Sequence, residues 1–89
     1  MAKDVFERAV AIDPRNPAAL RGLATVLADA GKHRQAASLM DAHNAIVPAD
    51  ADSRIQTGEL EGALGNEAKA HANYMKALKL LRQRPAEAN

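Results

Sequence analysis

The sequence predicts an all-α fold of stacked antiparallel helical hairpins, five helices in a solenoid-like row. Three observations point there. First, the chain matches itself when slid by 34 residues: Asp13-Pro14-Arg15-Asn16 recurs as Val47-Pro48-Ala49-Asp50, Gly31 as Gly65, Ala36 as Ala70 and Met40 as Tyr74. Upstream, Ala2, Phe6 and Ile12 fall on the Ala36, Met40 and Ile46 positions of the same frame. Two helices and two turns fill such a period, and a constant interval means that neighbouring units stack. Second, the four prolines, with Gly31 and Gly65, stand at the ends of the helical stretches. Third, the 47% of hydrophobic residues are mostly Ala and Leu, with no Trp, one Tyr (Tyr74) and one Phe (Phe6). That composition suits thin, closely packed helices better than a sheet.

Each element follows from local pattern. Val5, Phe6, Ala9, Val10 and Ile12 recur at helical spacing and predict a first helix over residues 2–12. It stops at Asp13-Pro14, because a residue before proline is pushed out of the α region. Asn16-Pro17 opens the second helix: Asn caps free N–H groups, and proline at the first helical position sacrifices none. Leu20, Leu23, Ala24 and Leu27 share one face of this helix, Pro17–Ala30, and Gly31 closes it as a left-handed C-cap. After a turn of Lys32-His33, a third helix carries Ala36, Ala37, Leu39, Met40 and Ile46 up to Pro48. Asp50 repeats the capping position of Asn16 and opens the fourth helix, which ends at Gly65.

The fourth helix is the irregular one. Arg54, Thr57 and Glu61 stand where its predecessor has Leu20, Leu23 and Leu27, so its apolar side is expected to consist of Ile55, Leu60, Ala63 and Leu64. Gly58 and Gly62 weaken it by ~1 kcal/mol each relative to Ala. Asn66 is expected to cap the last helix, Glu67 to about Arg82, with Ala70, Tyr74, Ala77, Leu78 and Leu81 as its inner face. Lys76, Lys79, Arg82 and Arg84 complement its C-terminal dipole. Residues 85–89 read as a disordered tail.

Composition narrows function. Eighty-nine residues make one domain, burying ~60–70% of the unfolded chain's surface. A net charge of +1 supplies no general field for nucleic acid or anionic lipid, so neither nucleic-acid binding nor membrane insertion is expected. No apolar run reaches the ~20 residues of a membrane helix. The absence of cysteine excludes disulfides, thiolate chemistry and sulfur-ligated metal, and says nothing about compartment. The first helix reads as the second half of a hairpin, so the chain reads as a piece of a longer array; were it to begin here, another molecule would be needed to cover Phe6 and Val10.

In this frame the sequence resembles the tetratricopeptide repeat family. Gly58, Gly65, Ala70, Tyr74 and Ala77 match its pattern in a unit 51–84, and Ala24, Gly31, Ala36 and Pro48 in a unit 17–50, with Leu27 and Met40 in aromatic places. Ala2, Phe6, Ala9 and Ile12-Asp13-Pro14-Arg15-Asn16 match in a half unit 2–16. Departures are His43 where the family has Ala, Arg54 and Glu61 where it has large apolar or aromatic residues, and Arg82 where it has Pro. The resemblance implies a right-handed superhelix with a concave side that holds an extended or helical peptide.

It also implies which residues face that side: Ala18, Arg21, Gly22, Thr25 and Asp29 from one helix, and Asp52, Ile55, Gln56 and Glu59 from the next. There Arg21, Thr25 and Gln56 are placed to hold a peptide backbone or carboxylate, and Ile55 an apolar side chain. The competing reading is a solvated helical face. Some members of the family clamp the acidic C-terminus of chaperones with a Lys/Asn/Arg set. The matching places here hold Arg21, Gly22, Thr25, Asp52 and Gln56, of which only Arg21 has a suitable charge, so that activity is not expected.

No metal site is expected either. His33, His43 and His71 make no pair at helical spacing, and His43 is expected to be a packed side chain. No nucleophile elbow, phosphate loop or Cys/His pair supports catalysis, and Asp50, Asp52, Glu59 and Glu61 read as caps and dipole complements. No cofactor is implied. The reading is therefore a non-enzymatic protein–protein interaction adaptor that takes a protein or peptide partner in the groove. The alternative is self-assembly into a homo-oligomer through faces around Phe6, Val10, Leu78 and Leu81. A third reading is a regulatory piece attached to an enzyme outside this chain.

Overall fold

A computed structural model describes residues 2–83. Within them the chain forms five α-helices: α1 (Ala2–Ile12), α2 (Pro17–Asp29), α3 (His33–Ile46), α4 (Ala51–Ala63) and α5 (Glu67–Arg82), with no strand among the described residues. The expected tail 85–89 and Arg84 lie outside the described residues. Each helix packs on the next, α1 on α2, α2 on α3, α3 on α4 and α4 on α5, the arrangement that short connections between antiparallel helices produce. The result is an all-α helical-repeat stack.

The ends of the helices are set by single residues. The Asn16 side chain accepts a bond from the Ala19 N–H at 3.1 Å, and Asp50 accepts from the Ser53 N–H at 3.2 Å. Each satisfies one of the N–H groups that a helix start leaves unpaired. Gly31 and Gly65 sit at φ of 82° and 81°. Around them the Lys32 N–H reaches the Leu27 carbonyl at 2.8 Å, and the Asn66 N–H reaches the Glu61 carbonyl at 2.8 Å. Both turns are thus the same six-residue closure, which needs a residue free to adopt positive φ.

Three expectations change. His33 is the first residue of α3 rather than part of the turn before it. Asn66 makes no side-chain cap on α5; its Nδ2 donates instead to Glu61 Oε1 at 2.9 Å. Only Ala70 and Ala77 of α5 are buried, while Leu78 and Leu81 are 39% and 40% exposed and Tyr74 and Met75 are also open. α5 is the last described helix, and no described helix lies beyond it to cover that side.

The core gathers Leu23, Ala24, Leu27, Ala36, Ala37, Met40 and Leu60, with Phe6, Val10, Ala28, Leu39 and Leu64 against it. Ala24, Ala36 and Met40 are fully enclosed. Small side chains at a crossing let helix axes come within about 8–10 Å, so the larger ones beside them interlock. Glycine serves the same end for aromatic rings. Phe6 lies over Gly22, and Tyr74 lies against Gly58, where an added Cβ would stand 2.7 Å from Cε1. Phe6 and Val10, expected to need an outside partner, are therefore half-buried on α2.

α4 meets this core with polar residues. Its buried positions include Ser53, Thr57 (1% exposed) and Glu61 (4%), while Ile55 and Leu64 are half-buried and Ala63 is exposed. Of the apolar side that hydrophobicity suggested, Leu60 is buried in the core and Leu64 packs against it, while the rest of the inward stripe runs through the Thr57 and Glu61 positions that match Leu23 and Leu27. Hydrogen bonds make this tolerable for Thr57 and Glu61, while the Ser53 hydroxyl is buried without a partner among the described residues. Asn44 Nδ2 on α3 donates to Thr57 Oγ1 at 2.9 Å, and Thr57 Oγ1 donates to the Ser53 carbonyl at 2.8 Å. The buried His43 Nδ1 is 3.3 Å from Asn44 Oδ1. These bonds fix α4 on α3, and with it the face that α4 turns toward α2.

Two glycines three residues apart should respond oppositely to alanine. Gly62 is exposed and helical, with an added Cβ 4.0 Å from Ala70 Cβ, so Gly62→Ala should stabilise by about 0.5–1 kcal/mol. Gly65 has open space around it but positive φ, so Gly65→Ala should lose about 1–2 kcal/mol. Thermal unfolding should show the melting temperature rise for the first and fall for the second.

Candidate functional site

The spacing of α2 and α4 leaves a cleft of about 610 Å³ lined by Arg21, Thr25, Ala28, Asp29, His33, Asp52, Ile55, Gln56, Glu59, Leu60 and Ala63. All seven residues singled out from the sequence, Arg21, Thr25, Asp29, Asp52, Ile55, Gln56 and Glu59, are in this lining. They come together because Arg21, Thr25 and Asp29 recur every four residues on α2, while Asp52, Ile55, Gln56 and Glu59 share a face of α4. Ala18 and Gly22 are not part of the cleft, Gly22 being taken up by the Phe6 ring. Ala28, His33, Leu60 and Ala63 were not anticipated. His33 had no signal beyond its position, and Leu60 and Ala63 had been assigned to the packing side of α4.

The polar residues of the cleft are already bonded to one another. Arg21 has only donors, so the Gln56 carbonyl oxygen faces it, with Nε to Oε1 at 3.0 Å. The Gln56 amide then donates to Thr25 Oγ1 at 2.9 Å, and that hydroxyl donates to the Arg21 carbonyl at 2.9 Å. One guanidinium nitrogen of Arg21 is 3.5 Å from Asp50 Oδ2. The three groups expected to receive a backbone or carboxylate thus close a ring that ties α2 to α4. Asp29, Asp52 and Glu59 make no ion pair among the described residues, and the His33 Nδ1 is buried without a hydrogen-bond partner. The floor between these groups is apolar: Ala28, Ile55, Leu60 and Ala63.

Two carboxyls near the α3–α4 junction are shifted. Burial pushes the Asp50 carboxyl up, but the Ser53 N–H and the Arg21 guanidinium outweigh it and hold the group below its ordinary value. Asp41 on α3 is moved the other way, raised by burial first and then by the Glu61 carboxylate, with Lys69 and Arg54 opposing. Asp41 and Glu61 line a second, polar cleft with Arg34, Asn66 and Lys69. A third, apolar hollow on α5 is lined by Met75, Lys76, Leu78, Lys79 and Arg82. Among the described residues no three His, Asp or Glu side chains come together to hold a metal, and no helix is long and apolar enough to cross a membrane.

The family profile described as tetratricopeptide repeat matches residues 2–58. No curated protein sequence matches the chain. Among solved structures, the crystal structure of MamA superposes with a TM-score of 0.84 at 22% identity, over 91% of this chain and 47% of that one. The chain therefore spans about half of that structure (47%), and at this identity the likeness concerns the fold alone.

Asp50 couples the cleft to pH. Its folded-state pKa lies below the unfolded value, so its ionised form stabilises the fold above that unfolded value, ~3.9, and the contribution is lost as pH falls through the folded pKa. Asn at this position still caps but cannot ionise. Asp50→Asn should therefore be less stable than the parent at neutral pH by about 0.2–1 kcal/mol, the range of a partly exposed pair. In denaturant titrations the difference should vanish near pH 2.

Proposed function

This chain belongs to the tetratricopeptide repeat family, and from that premise we propose that it is an adaptor holding a segment of a protein partner in the groove between α2 and α4. Repeats of this family generally mediate protein–protein interaction. The observation that carries the reading is the cleft itself. Ten side chains from two helices converge on one hollow, its floor is apolar, and its walls are held in place by the Arg21–Gln56–Thr25 ring. A preorganised, partly apolar concavity on a rigid scaffold loses little entropy when it receives a peptide.

Ile55 is the test position, being half-buried in the floor and outside the bonded ring. Peptides selected from a random display library on the parent chain should lose at least tenfold in affinity for Ile55→Asn, while circular dichroism stays unchanged. Their amide chemical-shift changes should centre on α2 and α4. Selected peptides whose shifts map onto other helices, with Ile55→Asn binding as before, would contradict the groove reading.

A second reading, self-association, is favoured by the open apolar residues Tyr74, Met75, Leu78 and Leu81 on α5. The companion face at Phe6 and Val10 is already half-covered by α2, so α5 is the surface in question. Sedimentation should then show a dimer at high concentration that Leu78→Asp abolishes. A monomer at every concentration would leave the adaptor alone.

A further inference from the structure

We propose that the segment received by the groove is basic: a stretch of a protein partner carrying Lys or Arg beside an aliphatic side chain. This rests on the groove reading above and deepens it. The lining contains three carboxylates, Asp29, Asp52 and Glu59, against one guanidinium, Arg21. That one cation is already engaged, its Nε bonded to Gln56 and another of its nitrogens 3.5 Å from Asp50. The carboxylates have no ion-pair partner among the described residues, and Asp29 and Glu59 are exposed on opposite walls. The groove is thus negative in a chain whose net charge is +1.

The charge of the groove is therefore segregated from that of the chain. Lys76, Lys79 and Arg82 line the hollow on α5 instead. An acidic segment, or a free C-terminal carboxylate, would meet three like charges and find no unshared cation. A basic segment meets complementary potential, which speeds encounter and rejects wrong partners. Between the carboxylates, Ala28, Ile55, Leu60 and Ala63 offer an apolar floor, which calls for an aliphatic side chain alongside the charges. A small polycation without such a side chain would leave that floor uncovered.

The test uses the whole chain and three fluorescent twelve-residue peptides of alternating pairs: Lys with Leu, Glu with Leu, and Ser with Leu. Spermidine serves as a cation without an apolar part. The Lys peptide should bind at least tenfold more tightly than the Ser peptide, shift amides of α2 and α4, and weaken as salt rises. The variant Asp29→Asn/Glu59→Gln removes two exposed charges at nearly constant shape and should reduce Lys-peptide affinity at least tenfold, with Glu59→Gln alone giving a smaller loss. A Glu peptide that binds the same amides equally well overturns the basic specificity and leaves the groove reading standing. Spermidine matching the Lys peptide overturns the peptide as occupant. Lys-peptide shifts confined to other helices, or no shifts at all, overturn the inference; the first also removes the groove.

Discussion

Close approach at the helix crossings is the constraint on which the rest of this molecule depends. Ala24 on α2 and Ala36 on α3 are both 0% exposed, and neither position has room for a longer side chain without moving a helix. Met40, enclosed beside them, and the half-buried Phe6 and Leu39 supply the bulk that the alanines lack. Because α3 is pinned to α2 on one side and bonded to α4 through Asn44 and Thr57 on the other, it acts as the spacer that sets how far α2 and α4 stand apart. The groove is the space left over. Its width is a consequence of packing behind it, and the ring of Arg21, Gln56 and Thr25 locks that width from the front.

Features that depend on neighbouring residues alone could be read from the sequence. Asn16-Pro17 and Asp50 begin helices because a short acceptor side chain reaches back to its own first turn. Gly31 and Gly65 end them because positive φ is needed there. Periodicity groups residues that share a helix face, and the family resemblance implied that Arg21, Thr25 and Asp29 on one helix and Ile55, Gln56 and Glu59 on the next turn to one side, where they line one cleft.

What depends on which polar side chains pair with each other was not legible, whether the partner is far along the chain or near. Thr57 and Glu61 look like surface residues until Asn44, on the preceding helix, and Asn66, five residues past Glu61, are placed against them. Asn66 looks like a cap for the same reason. Arg21 looks like an open anion receptor until Gln56 and Asp50 are seen to occupy it. Hydrophobicity ranks side chains by what they do unpaired, and every one of these errors is a polar group that found a partner.

The residue types already make the cleft acidic, with three carboxylates against one guanidinium, and the structure sharpens this because that guanidinium is engaged by Gln56 and Asp50. Both the cleft and that engagement depend on α3 holding α2 and α4 at their present distance. Equilibrium unfolding of Ala36→Leu in denaturant probes that spacing. Overpacking the crossing should lower stability by about 1–3 kcal/mol. A midpoint and slope identical to the parent's would mean that the crossing is loose and that α3 does not set the groove.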